Sequence, residues 1–214
     1  MRRSWPRRRP TPWRLLRRAP RVLAFALEWA VGRRLLGPGE AAAAGLAVHL
    51  GAFPDAERSP LLARLGEAVA LLEAFAPRAV RRLRLDGVRL LVAHQGSTCY
   101  WPATNVIAVR APALAAQPAS LTASELRHEG AHARLARAGV WPWPDLIARV
   151  ERRCVTEQLG FLRALPPGEF PGAAAYADRL EEAARRPWWT ARDRIRGIAR
   201  ALREGRSAVF PPDV

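Results

Sequence analysis

Apolar positions recur at helical spacing across 61–76, where Leu61, Leu62, Leu65, Val69, Leu72 and Phe75 share one face, and Pro77 is expected to end that helix. Two earlier helices are expected: 22–36, stopped by Gly37-Pro38-Gly39, and 40–50, closed near Gly51 and Pro54. The period then shortens. Residues 88–93, entered from Asp86-Gly87, and 105–109, entered from Pro102, are short apolar runs that read as strands. Joined through 95–104, they are expected to pair in a small antiparallel sheet, followed by a loop holding Pro112 and Pro118.

The sharpest local signals come next. Thr122 with Glu125 spells a capping box, and Leu121 with Leu126 a hydrophobic staple, so a helix is expected from there to about Ala138, stopped by Gly139. After Trp141-Pro142-Trp143, a helix opening with Pro144 and Asp145 should continue to about Leu165, before Pro166-Pro167. Further helices are expected over 173–185 and 190–203. The fold class is α+β with helices in the majority.

Composition changes this picture at one end only. All 35 basic residues are Arg, against 19 acids, giving a formal net charge of +16. Nine of those arginines and no acid fall in residues 1–21, interleaved with Trp5, Trp13, Leu15 and Leu16. That stretch reads as a flexible basic tail ahead of one domain over 22–214, able to lie on an anionic bilayer with its tryptophans at the interface or to wrap a nucleic acid. The apolar run 22–31 is too short for a membrane span and contains Glu28, which also interrupts any secretory-signal reading. Cys99 and Cys154 form no CxxC pair, which favours a reducing, cytoplasmic setting with peripheral membrane contact through the tail. No recognition helix, aromatic RNA-binding strand or finger-like Cys/His spacing points to sequence-specific nucleic-acid binding.

The candidate chemistry is concentrated in His128-Glu129-Gly130-Ala131-His132. On a helix, positions i and i+4 face the same way, so two imidazoles can meet one metal ion, Zn2+ by default. Glu129 beside them is placed to act as general base on a metal-bound water. A third ligand must come from Glu151, Glu157 or Cys154 on the next helix. His132 lies about seven residues before Gly139 and Glu151 about seven after Pro144, arms of roughly 10 Å each, so an antiparallel hairpin brings Glu151 level with the histidines. Glu157 overshoots and is left to pair with arginines. For an oxyanion donor the candidates are Tyr100, His94 and Tyr176, with Tyr100 ranked first because it precedes the second strand.

His128-Glu129-Gly130-Ala131-His132, eighteen residues and then Glu151 resembles the gluzincin branch of the zincin metallopeptidases, in particular its small compact members. The resemblance covers roughly 105–165. It implies zinc bound by His128, His132 and Glu151, Glu129 as general base, peptide-bond hydrolysis of a peptide or protein substrate, and 105–109 as the edge strand to which substrate adds. The chain departs from the family pattern at Val155, where an acid four residues after the glutamate ligand is usual. Two alternatives stand beside the enzyme reading. One is a catalytically inactive zincin-fold binding or regulatory protein, signalled by a plugged groove. The other is a basic membrane or nucleic-acid interaction protein in which the HExxH is incidental.

Overall fold

The computed structural model describes residues 41–50, 53–94, 98–140 and 146–185. The helices expected over 22–36 and 190–203 and the basic tail lie outside these residues. Along the described chain run β1 (Ala41–Ala43), β2 (Leu46–His49), α1 (Asp55–Phe75), α2 (Pro77–Leu85), β3 (Arg89–Ala93), β4 (Cys99–Trp101), β5 (Val106–Arg110), α3 (Ala111–Ala116), α4 (Ala119–Arg137), α5 (Ile147–Ala164) and α6 (Ala173–Arg185). The fold is α+β, mostly helical, with a small open sheet and the histidine-bearing helix α4 packed on the glutamate-bearing helix α5.

Helix 40–50 does not form; β1 and β2 make a hairpin instead. Ala44 and Gly45 take φ values of 45° and 74°, the left-handed pair that a two-residue hairpin turn requires, and Ala41 faces Val48 across it. Alanine's helix propensity loses here to burial of Ala43, Leu46 and Val48 in the core. Pro77 ends α1 as expected, yet also opens α2 at once, since its fixed φ and missing N–H suit a first helical position.

The sheet order is β1-β2-β3-β5-β4. Antiparallel pairs form both edges, while β3 and β5, the two strands legible in the sequence, pair in parallel, with Leu90 opposite Ile107. The reason is β4: the chain leaves β3, passes to the far edge, and returns through a hairpin into the gap. That hairpin turns on Asn105 at φ 55°, whose amide donates to the Asp86 and Gly87 carbonyls at 2.9 Å and accepts from the Tyr100 hydroxyl at 2.9 Å. So 105–109 is an interior strand and β4 is the edge, which corrects the assignment of 105–109 as a substrate-binding edge.

Leu90, Val92, Ile107 and Val109 of the sheet share one core with Leu65, Val69 and Leu72 of α1 and with Leu126 of α4. α4 begins earlier than expected, at Ala119 after Pro118, and Thr122 is inside it: its N–H already bonds Pro118 O at 3.3 Å. In place of a capping box, Gln117 Nε2 donates to Thr122 Oγ1 and Glu125 Oε2 at 2.9 and 3.2 Å. The far end is as expected. Gly139 at φ 75° closes a Schellman motif, with Val140 N donating to Leu135 O at 2.8 Å and Gly139 N to Ala136 O at 2.9 Å.

Candidate metal centre

α4 supplies the imidazoles. His128 and His132, one turn apart, have ring centroids separated by 5.0 Å, and their Nε2 atoms stand 3.2 Å from each other. α5 returns beside them carrying Glu151, Cys154 and Gln158, a stripe spaced i, i+3, i+7. Glu151 Oε2 lies 3.4 Å from the Nε2 atom of each histidine. Cys154, fully buried, joins His128 and His132 in a cluster whose donor atoms all lie within 4.8 Å of one another.

The edges of the His128, His132 and Glu151 triangle are 3.2, 3.4 and 3.4 Å. Donors about 2.0–2.1 Å from a tetrahedral ion stand about 3.3 Å apart, so this face has the right size for a first-row metal. Cys154 adds a soft thiol on the same side of α5. The His/His/Cys cluster is thus able to coordinate a metal ion, and Glu151 Oε2 lies beside its two imidazoles.

Polar contacts around the donors fix their orientation. His128 Nδ1 meets Gln158 Oε1 at 3.1 Å, Gln158 Nε2 donates to Ser124 Oγ at 3.1 Å, and Ser124 Oγ donates to Leu121 O at 2.8 Å. Gln158 Oε1 can only accept, so this contact takes His128 Nδ1–H and turns Nε2 toward the cluster. Gln158 therefore supplies the orienting contact expected from an acid at 155, where Val155 instead belongs to the core. Burial raises the Glu151 carboxyl, but hydrogen bonds from His128 and His132 outweigh it and bring the pKa to about 2. Burial lowers His132, whereas its contacts with Cys154 and Glu151 and the charges of Glu129 and Glu151 carry it well above the ordinary value. Burial raises the Cys154 thiol, only partly offset by His132.

Glu129 and Tyr100, the expected catalytic pair, are engaged with each other. Glu129 is 9% exposed and its Oε2 accepts a 2.7 Å hydrogen bond from the Tyr100 backbone N–H on the edge strand, while Oε1 stands 4.0 Å from His128 Nε2. The Tyr100 hydroxyl donates to Asn105, and burial pushes its pKa to about 12. Among the other oxyanion candidates, the His94 ring lies on Phe53 with centroids 3.8 Å apart, and Tyr176 is within hydrogen-bonding reach of Gln158. Glu157 faces away from the imidazoles and meets Arg127, Arg134 and Arg153.

The class these features define is a helical α+β protein with a His/His/Cys cluster able to hold a metal between two antiparallel helices. Compared with family models, with curated proteins and with solved structures, the chain gives no match. The expectation of a gluzincin-type metallopeptidase is corrected on this evidence. The cluster takes Cys154 as its third member where the HExxH-x18-E pattern requires Glu, and no comparison supports protease, metalloprotease or gluzincin character. A hydrolytic centre keeps a coordination position open for water and a free carboxylate to take its proton. Here a buried thiol stands at the donor cluster and Glu129 is tied to the strand beside it.

Proposed function

We propose that the protein is a non-catalytic zinc-binding module of a binding or regulatory kind, in which a zinc ion held by His128, His132 and Cys154, with Glu151 as fourth donor, fastens α4 to α5. The convergence of Cys154 with the two histidines carries this reading, because four protein donors of this type complete a tetrahedral shell and leave zinc a structural part. Glu151 ionised and His128 oriented through Gln158 support this reading. The clasp would stabilise the folded state by mass action, about 4 kcal/mol when free zinc exceeds the dissociation constant a thousandfold. The basic segment 1–21 is proposed to contact anionic membrane surfaces.

Cobalt substitution tests the donor set. A thiolate-to-cobalt charge-transfer band and an intense tetrahedral visible band are expected, with one metal per chain. Cys154→Ser should remove the charge-transfer band and Glu151→Gln should weaken binding while keeping it. His128→Ala with His132→Ala should abolish uptake and leave most helix content intact. A cobalt complex whose spectrum is the same in Cys154→Ser as in the parent would refute the thiol ligand, and absence of any metal uptake would refute the module.

A further inference from the structure

A cleft lies on another face of α4. α2 and α4 enclose a cleft of about 550 Å3 lined by Arg78, Arg81, Arg82, Arg127 and Arg134 over an apolar floor of Leu83, Leu85 and Leu126. The helices approach closely at its base: a Cβ on Gly130 would stand 3.2 Å from Leu83 Cδ2. Leu85 is 64% exposed, the one large hydrophobic side chain so placed among the described residues.

No carboxylate lines this cleft. Arg127 and Arg134 share Glu157 with Arg153, and Arg82 has only a 3.8 Å approach to Asp86. Arg78 and Arg81 have no acidic partner among the described residues. Arg78, Arg81 and Arg82 crowd the concavity beside the Arg127/Arg134 pair, whose charge the single Glu157 carboxylate offsets only in part, and an anion among them relieves the repulsion while meeting their planar donor forks. Leucines at the floor and rim add a surface for an apolar body attached to the anion.

We propose that this cleft binds a phosphate monoester bearing an apolar group, with the phosphate between Arg78, Arg81 and the Arg127/Arg134 pair and the apolar body against Leu83, Leu85 and Leu126. A phospholipid headgroup carries the same chemistry; the concave form of the site favours the soluble ester. The probe is phenyl phosphate, titrated calorimetrically into the full-length protein. One-to-one binding is expected, several-fold tighter than for inorganic phosphate and absent for phenol. Arg78→Ala with Arg81→Ala, both exposed on α2, should weaken it by about tenfold or more. The charge-matched control Arg7→Ala with Arg8→Ala should weaken it far less. Binding unaltered in the α2 variant, or reduced equally in the control, would overturn the proposal. Sedimentation with phosphatidylcholine vesicles containing phosphatidic acid separates the sources: a loss specific to the α2 variant identifies the headgroup, and unchanged sedimentation alongside lost phenyl phosphate binding identifies the soluble ester.

Discussion

Replacing Glu157 by Gln should loosen the α4–α5 pair without touching the His/His/Cys cluster. The Glu157 side chain is 10% exposed; one oxygen accepts from Arg134 and Arg153 at 2.9 Å and the other meets Arg127. Arg153 is more than half exposed and lies one turn away, so its share is screened to about 0.3–0.5 kcal/mol. Arg127 and Arg134 are 21% and 33% exposed and join one helix to the other, each contributing about 1 kcal/mol after discount for solvent. Glutamine keeps one acceptor but leaves three guanidiniums close together without a countercharge, so a loss of about 2 kcal/mol is expected, or roughly 4–8 °C in Tm for a domain of this size. The pH dependence supplies an independent check. Burial raises the Glu157 carboxyl, yet Arg134, Arg127 and Arg153 outweigh it and hold the folded pKa below the ordinary value. Its stabilisation is therefore complete above the unfolded carboxylate pKa of about 4.3 and is lost as pH falls through the lower folded pKa. Urea unfolding of parent and variant should show the full gap at pH 7 and a shrinking one in acid. Equal stability at pH 7, or a gap that does not narrow in acid, would refute the argument.

Three further outcomes are expected. Gln158→Leu removes the acceptor that orients His128 and should weaken zinc binding about 10–100-fold, measured by chelator competition, with helix content retained; unchanged affinity would show that the orienting contact is dispensable. Asn105→Ala forfeits three hydrogen bonds at a left-handed residue and should cost about 2 kcal/mol or more in denaturant unfolding, whereas Asn105→Gly, free of the backbone strain, should cost less; equal losses would count against strain at this turn. Deleting residues 1–21 should leave folding intact by circular dichroism and weaken sedimentation with anionic liposomes at low salt, and an unfolded product would show that the tail packs on the domain.

Much of the fold was legible because its strongest elements carry one-dimensional signals. The apolar face of α1, the Gly139 stop of α4, the span of α6 and the apolar runs of β3 and β5 can all be read without knowing what they pack against. The β1–β2 hairpin was illegible because an alanine-rich segment has helical propensity, and its turn places a non-glycine residue, Ala44, at positive φ. A three-residue strand such as β4 has too few positions to show alternation, and without β4 the parallel relation of β3 to β5 could not be inferred. At the site, matching helix arms fixes height along the axis but not rotation about it. Residues 151, 154 and 158 lie within about 60° of one another on a helical wheel, whereas 157 is turned about 120° from 151. Counting rotation as well as height would have raised Cys154 and brought in Gln158, and it also places Glu157 on the arginine side.

The hydrogen bond from Tyr100 N to Glu129 Oε2 has a consequence for solubility. β4 is the last strand of the sheet and is only three residues long; in its antiparallel pairing with β5 a central outward amide is where another chain would begin to add. Glu129 occupies that donor with a buried side chain, so the Tyr100 N–H is not open to an intruding strand. The helix that carries the His/His/Cys cluster's imidazoles thus also covers the central outward amide of the edge strand.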